Sequence, residues 1–230
     1  MPLFYQPDIS LGRLSEEESN HAIKVLRLVE GDKFELTDGK GGLIIAHLTQ
    51  SDPRKCKFEI IRRTIIPRRN FSIHLGVAPT KNMDRMEWMI EKSVELGIEK
   101  ISFLRCKTSV RASINMERIE KIAISAMKQS QQVWLPSVGT VTPFGSFIMD
   151  LTEKQKFIAT VGTRIPKHLK DLATPSSDYA ILIGPEGDFS RDELEAAQLA
   201  SFQPVSLGPN RLRTETAGLT AVTILNLINQ

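Results

Sequence analysis

Two stretches near the end of the chain combine residue types whose spacing suits ligand binding. Gly184-Pro185-Glu186-Gly187 follows the apolar run YAILI, and LGPNRLRTETAG, residues 207–218, follows a second apolar run. Glycine allows positive φ and lets the backbone approach a ligand closely, while proline stiffens a loop and removes a donor. Backbone groups freed in this way could read the edge of a purine. The alternative is a pair of tight strand-to-helix connections with good helix caps.

The second stretch also carries side chains that could do chemistry. Thr214 is predicted to cap the last helix, with Arg211, Arg213 and Glu215 around its start. Such groups could hold a phosphate or another polar ligand. For Glu215 a purely structural role stays open, because a carboxylate beside a helix N-terminus is favourable by itself.

Several common site types find no support in the sequence. It contains no Gly-x-x-x-x-Gly-Lys-Ser/Thr, no Gly-x-Gly-x-x-Gly and no Gly-x-Ser-x-Gly. The four histidines are scattered, and Cys56 and Cys106 form no Cys-x-x-Cys pair, so we expect no metal site and a reducing compartment. No apolar run is long enough for a membrane span and no secretory signal is recognisable, so we expect a cytoplasmic protein.

The element pattern predicts an α/β protein with two domains. Residues 1–70 read as short strands with one helix over residues 15–29, which suggests a small β-barrel. Residues 71–230 alternate strands with helices, which predicts a parallel sheet covered on both faces. Ser15–Glu18 and Ser190–Glu193 have capping-box spacing, and Trp88 is expected in the core. Because ligands bind beyond the carboxyl ends of such strands, both glycine-bearing stretches lie where a site is expected.

A basic cluster lies in the N-terminal part. Between Arg54 and Arg69 there are seven Lys or Arg and a single acid, Glu59, in a chain whose net charge is only +3. Such a cluster suits phosphate contacts with RNA, and a charged, solvated sheet edge is the alternative. The side chains expected to contact RNA are Arg13, His21, Lys24, Arg27, Arg62 and Arg63.

These motifs resemble one family over essentially the whole chain. LIGPEGDFS followed by LGPNRLRTETAG is similar to the paired C-terminal signature of the ribosomal RNA small subunit methyltransferase E family, within the SPOUT superfamily. HAIKVLRLVEGD, KNMDRMEWMIEKSVELGIEKI and RIEKIAISAMKQS resemble its other segments. The resemblance implies a PUA-like RNA-binding barrel, a catalytic domain with a deep trefoil knot, and a homodimer. It implies S-adenosylmethionine-dependent methylation of N3 of a uridine in small-subunit (16S) ribosomal RNA, free or in the assembled subunit.

The resemblance also implies where the cofactor binds. The expected cofactor residues are Thr160, Leu182, Gly184, Glu186, Gly187, Leu207, Gly208, Leu212, Thr214 and Thr216. Two positions depart from the family pattern: Asp188 stands where the family often has glycine, and Gln132 stands where many members have arginine.

The proposed chemistry requires that the proton on uridine N3 leave. We expect Arg213 to stabilise the developing anion and Glu215 to orient Arg213, with loss of the proton to solvent as the alternative. Two other functions stay open at this point. One is a catalytically inactive RNA-binding ribosome-assembly factor, and the other is a nucleotide-dependent enzyme on an ordinary doubly wound sheet.

Overall fold

The computed structural model describes residues 1–110, 113–161 and 167–230. The chain forms two compact units, Met1–Arg68 with Ile124–Leu135, and Arg69–Ala123 with Pro136–Gln230. The segment Ile124–Leu135 was not expected in the first unit. No helix among the described residues has the length and apolar character that crossing a membrane requires.

The first unit contains a four-stranded sheet in the order β1-β2-β3-β4. Its strands are β1 (Leu3–Tyr5), β2 (Lys33–Thr37), β3 (Gly42–Gln50) and β4 (Lys57–Ile65). β1 pairs with β2 in parallel, and the other two pairs are antiparallel. The turn between β2 and β3 forms because the Asp38 carboxylate accepts hydrogen bonds from the amides of Lys40 and Gly42, at 2.8 and 2.9 Å. On the core side, Phe34 makes edge-to-face contacts with Phe4 and Phe58.

The helix of this unit is shorter than the sequence suggests. α1 spans Glu16–Asn20 and continues as a π-helical turn, His21–Val25. Arg27 then has a φ of 56°, which ends the helical path. Ser15 caps the Glu18 amide, but the Glu18 carboxylate bonds Lys128 Nζ at 2.6 Å and does not complete the capping box.

The second unit contains a six-stranded sheet in the order β10-β8-β9-β5-β6-β7, with every pairing parallel. Its strands are β5 (Ser72–Val77), β6 (Lys100–Arg105), β7 (Ser137–Pro143), β8 (Gln155–Ala159), β9 (Asp178–Ile183) and β10 (Gln203–Val205). The run Tyr179–Ile183 in β9 is buried throughout, as a strand covered on both faces requires. The predicted parallel sheet is therefore confirmed.

Helices cover both faces of this sheet. They include α2 (Met83–Glu95), α4 (Phe144–Met149), α5 (Leu169–Leu172), α6 (Arg191–Leu199) and α7 (Thr214–Leu227). The helix α3 (Met116–Gln129) belongs to this unit up to Ala123 and to the first unit from Ile124. On one face α7 approaches β5 so closely that a Cβ at Gly218 would lie 3.5 Å from Leu75 and 2.6 Å from Met89 of α2. On the other face a Cβ at Gly76 would meet Phe147 of α4 at 3.0 Å. Neighbouring strand residues point to opposite faces, so α7 and α4 lie on opposite sides.

Two helix ends in this unit form as their local sequence predicts. The capping box of Ser190 and Glu193 is complete at the start of α6, and Gly97, with a φ of 84°, follows the end of α2.

The expectation that Trp88 is a core residue was wrong. The exposed fraction of Trp88 is 46%, because the buried side of α2 carries Met86 and Met89 instead. The trefoil knot stays a prediction.

Candidate active site

Three neighbouring strands, β10, β8 and β9, end at one edge of the parallel sheet. The segments that follow them surround a cavity of about 280 Å³, close to the lower end, roughly 300 Å³, of typical ligand pockets. The residues around it are Ala159, Thr160, Val161, Ile183, Gly184, Pro185, Glu186, Asp188, Val205, Ser206, Leu207, Gly208, Asn210, Arg211, Leu212, Arg213, Thr214 and Ala217. The two glycine-bearing stretches thus meet because β8 pairs with both β9 and β10.

 

The loop after β9 is a tight turn that lines the cavity. The Asp188 amide donates to the Pro185 carbonyl at 2.9 Å, and Asp188 has a φ of 64°. A Cβ at Gly184 would lie 3.1 Å from two ring atoms of Phe189, so any larger residue here would press on that ring. The side chain of Glu186 is exposed, and its carboxylate accepts from the Lys81 amide at 3.4 Å.

The loop after β10 carries a second glycine that lines the cavity, Gly208. Gly208 has a φ of 137°, a conformation that other residues rarely adopt, and a Cβ there would meet no atom within 4 Å. The Ser206 hydroxyl holds this turn by donating to the Gly208 carbonyl at 3.0 Å.

A hydrogen bond joins the two loops directly. Thr214 Oγ1 donates to the Gly184 carbonyl at 3.0 Å, and both residues are buried. The expectation that Thr214 caps the last helix was therefore wrong, because the N-cap of α7 is Arg213 and the Thr214 hydroxyl is directed to the other loop. The guanidinium of Arg211 adds a second link, donating to the Glu186 carbonyl at 3.2 Å.

Charged side chains of both signs surround the cavity. Glu186 and Asp188 supply carboxylates, while Arg211 and Arg213 supply guanidinium groups. Glu215 is 7% exposed and does not line the cavity. Its carboxylate lies 3.5 Å from Arg85 Nη1 of α2, a partner that the sequence did not suggest.

The structure brings most of the predicted cofactor residues together. Those that line the cavity are Thr160, Gly184, Glu186, Leu207, Gly208, Leu212 and Thr214, with the predicted catalytic Arg213. Three others lie outside its lining: Leu182 is buried in β9, Gly187 faces Thr108, and Thr216 is exposed on α7. Their proposed roles stay predictions. Val161 and Asp188 line the cavity and were not predicted.

The predicted RNA contacts all lie on the first unit. Arg13, His21, Lys24, Arg27, Arg62 and Arg63 are exposed. Arg62 and Arg63 are consecutive in β4, so their side chains leave opposite faces of the strand. Arg63 lies 3.5 Å from Asp38, whereas Arg62 bonds Thr64 Oγ1 at 3.3 Å.

The lining of the cavity suits a nucleoside-like group. Within the part of the chain that the structure describes, no cluster of His, Cys, Asp and Glu could hold a metal. The apolar side chains of Val161, Leu207 and Leu212 lie beside glycine backbone and charged groups. A purine, a ribose and a charged tail require such a mixture of apolar and polar surface.

Comparison with known proteins agrees with this geometry. Residues 67–226 match the RNA methyltransferase domain family, and residues 14–61 match the RNA methyltransferase PUA domain family. The Ribosomal RNA small subunit methyltransferase E of Rickettsia conorii is 29% identical over 222 residues, covering 94% of this chain and 89% of that protein. The chain belongs to the ribosomal RNA small subunit methyltransferase E family.

Solved structures extend the similarity to the whole chain. A probable rRNA-methyltransferase from Porphyromonas gingivalis has a TM-score of 0.95 and 41% identity, covering 100% of this chain and 98% of that one. A Ribosomal RNA small subunit methyltransferase E from Neisseria gonorrhoeae, bound to S-adenosyl methionine, has a TM-score of 0.89 and 29% identity with the same coverage. Membership of the methyltransferase E family thus confirms the resemblance found in the sequence.

Proposed function

We propose that this protein methylates N3 of a uridine in small-subunit ribosomal RNA, with S-adenosylmethionine as the methyl donor. The observation that carries the proposal is the cavity formed by the three strand ends β8, β9 and β10. The family membership and the S-adenosyl methionine bound to the Neisseria relative support it.

The residues around the cavity would hold the cofactor through backbone and apolar contacts. Leu207 and Leu212 offer apolar surface, and Gly184 and Gly208 let the backbone come close. When bound, the cofactor supplies a methyl group already activated by the sulfonium, so the reaction needs no metal. What the protein must add is alignment of the acceptor nitrogen and exclusion of water.

Arg213 and Glu215 are the proposed catalytic pair. Arg213 lines the cavity, where its guanidinium would stabilise the negative charge that develops on the pyrimidine as N3 loses its proton. Glu215 contacts Arg85. We therefore propose that Glu215 orients the guanidinium groups of both Arg213 and Arg85 near the start of α7. The proton of N3 leaves to solvent or to a carboxylate beside the cavity.

The RNA would be bound through the exposed cations of the first unit. Phosphate contacts by such side chains give affinity that falls steeply with salt. The homodimer expected from the resemblance is part of the proposal, and light scattering of the purified protein measures it.

The test is a nucleoside digest of methylated substrate analysed by mass spectrometry. Small subunits and naked small-subunit RNA are prepared from cells that lack the endogenous activity and are incubated with protein and S-adenosylmethionine. We expect 3-methyluridine in at least one substrate and none without protein. Its absence from both would overturn the proposed reaction.

An RNA-binding assembly factor without catalysis is the second candidate, favoured by the exposed cations of the first unit. It predicts salt-sensitive RNA binding without cofactor binding. Calorimetric titration with S-adenosylmethionine separates the two candidates, because only the methyltransferase binds it.

A further inference from the structure

Asp188 occupies a backbone conformation that few residues other than glycine adopt. Its φ is 64°, in the left-handed region, where aspartate is tolerated better than most side chains. The side chain is half-buried and lines the cavity. Because this conformation is unfavourable for most side chains, we expect contacts of the Asp188 side chain to stabilise it.

Those contacts join two walls of the cavity. Asp188 Oδ2 accepts from Thr160 Oγ1 at 3.0 Å and from the Val161 amide at 3.2 Å, both in the segment after β8. Asp188 Oδ1 accepts from the Phe189 amide at 2.8 Å, in its own loop after β9. The backbone is held from a third side, because Thr108 Oγ1 donates to the Asp188 carbonyl at 3.1 Å.

The charge state of this side chain suits the arrangement. A carboxylate accepts through both oxygens, and hydrogen bonds to an ionised acceptor are stronger than those between neutral groups. An amide has a single acceptor oxygen, so asparagine would leave either the Phe189 amide or the Val161 amide without its present acceptor atom, although its NH2 group could still donate to the Thr160 hydroxyl. Glycine would keep the backbone conformation and lose every side-chain contact.

We propose that Asp188 is a positioning residue that holds the Thr160–Val161 wall against the loop after β9 and so preforms the cofactor cavity. This inference rests on the proposed use of the cavity for S-adenosylmethionine. Preforming a site reduces the ordering that binding requires, so loss of the carboxylate should weaken cofactor binding rather than the chemical step.

Calorimetric titration with S-adenosylmethionine and with S-adenosylhomocysteine tests the inference. For Asp188→Gly we expect both Kd values to rise about tenfold, which is about 1.4 kcal/mol, and for Asp188→Asn we expect a smaller rise. Ser201→Gly is the matched control, because Ser201 has a φ of 68°, is exposed and lies outside the cavity lining. Its Kd values should equal those of the unaltered protein.

Two further readouts separate positioning from a general effect on folding. In Asp188→Gly the Val161 amide should exchange with solvent about tenfold faster by NMR, because it loses its acceptor. The KM for S-adenosylmethionine should rise with little change in kcat. An irreversibly misfolded fraction would instead lower the number of binding sites and leave Kd unchanged. Unchanged Kd and Val161 exchange in Asp188→Gly would overturn the inference and leave the proposed function intact. Failure of the unaltered protein to bind either compound would overturn the proposed function itself.

Discussion

Replacing Thr214 with valine removes the hydrogen bond that joins the two glycine-bearing loops. The hydroxyl is buried and donates to the Gly184 carbonyl at 3.0 Å. Loss of a partner from a buried acceptor costs about 1–3 kcal/mol, and the additional buried methyl group returns up to about 0.8 kcal/mol. The expected net loss is about 1–2 kcal/mol, which lowers Tm by roughly 2–8 °C in a chain of this size. Cofactor affinity should fall as well, because the two walls are no longer tied together.

Thr214→Ser is the control for this change, since it keeps the hydroxyl and deletes only the methyl group. Thermal unfolding gives the stability difference, and calorimetric titration with S-adenosylmethionine gives the affinity. We expect the serine variant to bind nearly as tightly as the unaltered protein and the valine variant to bind several-fold more weakly. Equal affinity in the two variants would refute the claim that this hydrogen bond shapes the cavity.

Three further changes test other parts of the account. Gly184→Val should lower the free energy of unfolding by about 1–3 kcal/mol, measured by denaturant titration, because the new Cβ would press on the Phe189 ring. Gly208→Ala should cost about 1–3 kcal/mol in backbone strain and weaken cofactor binding by calorimetry; unchanged values for both would contradict the strained turn. Replacing Arg62 and Arg63 together with alanine should reduce the slope of log K for RNA binding against log salt by the amount that about one phosphate contact contributes. We expect one contact and not two because the two side chains leave opposite faces of β4. An unchanged slope would exclude β4 from the RNA surface.

Local sequence patterns predicted much of the fold. The capping box at Ser190 and the glycine after α2 were readable because each depends on residues a few positions apart. The parallel sheet followed from alternating elements, while β1, β7 and α4 were not predicted. β7 contains the polar run Ser137–Pro143, which lacks the apolar character of a buried strand.

The candidate site was predictable where it depends on loop composition and not where it depends on long-range contacts. Gly184 and Gly208 were recognised from composition and from the family resemblance. The contact between Glu215 and Arg85 joins residues 130 positions apart, and the one between Thr160 and Asp188 joins residues 28 apart. Such pairs depend on the strand order, which the sequence pattern does not specify.

Hydrogen–deuterium exchange with and without S-adenosylmethionine tests the central claim most directly. We expect slower exchange at all three strand exits together, residues 159–161, 184–188 and 206–213, because all three line one cavity. Protection at a single exit, or at residues away from this edge of the sheet, would contradict it.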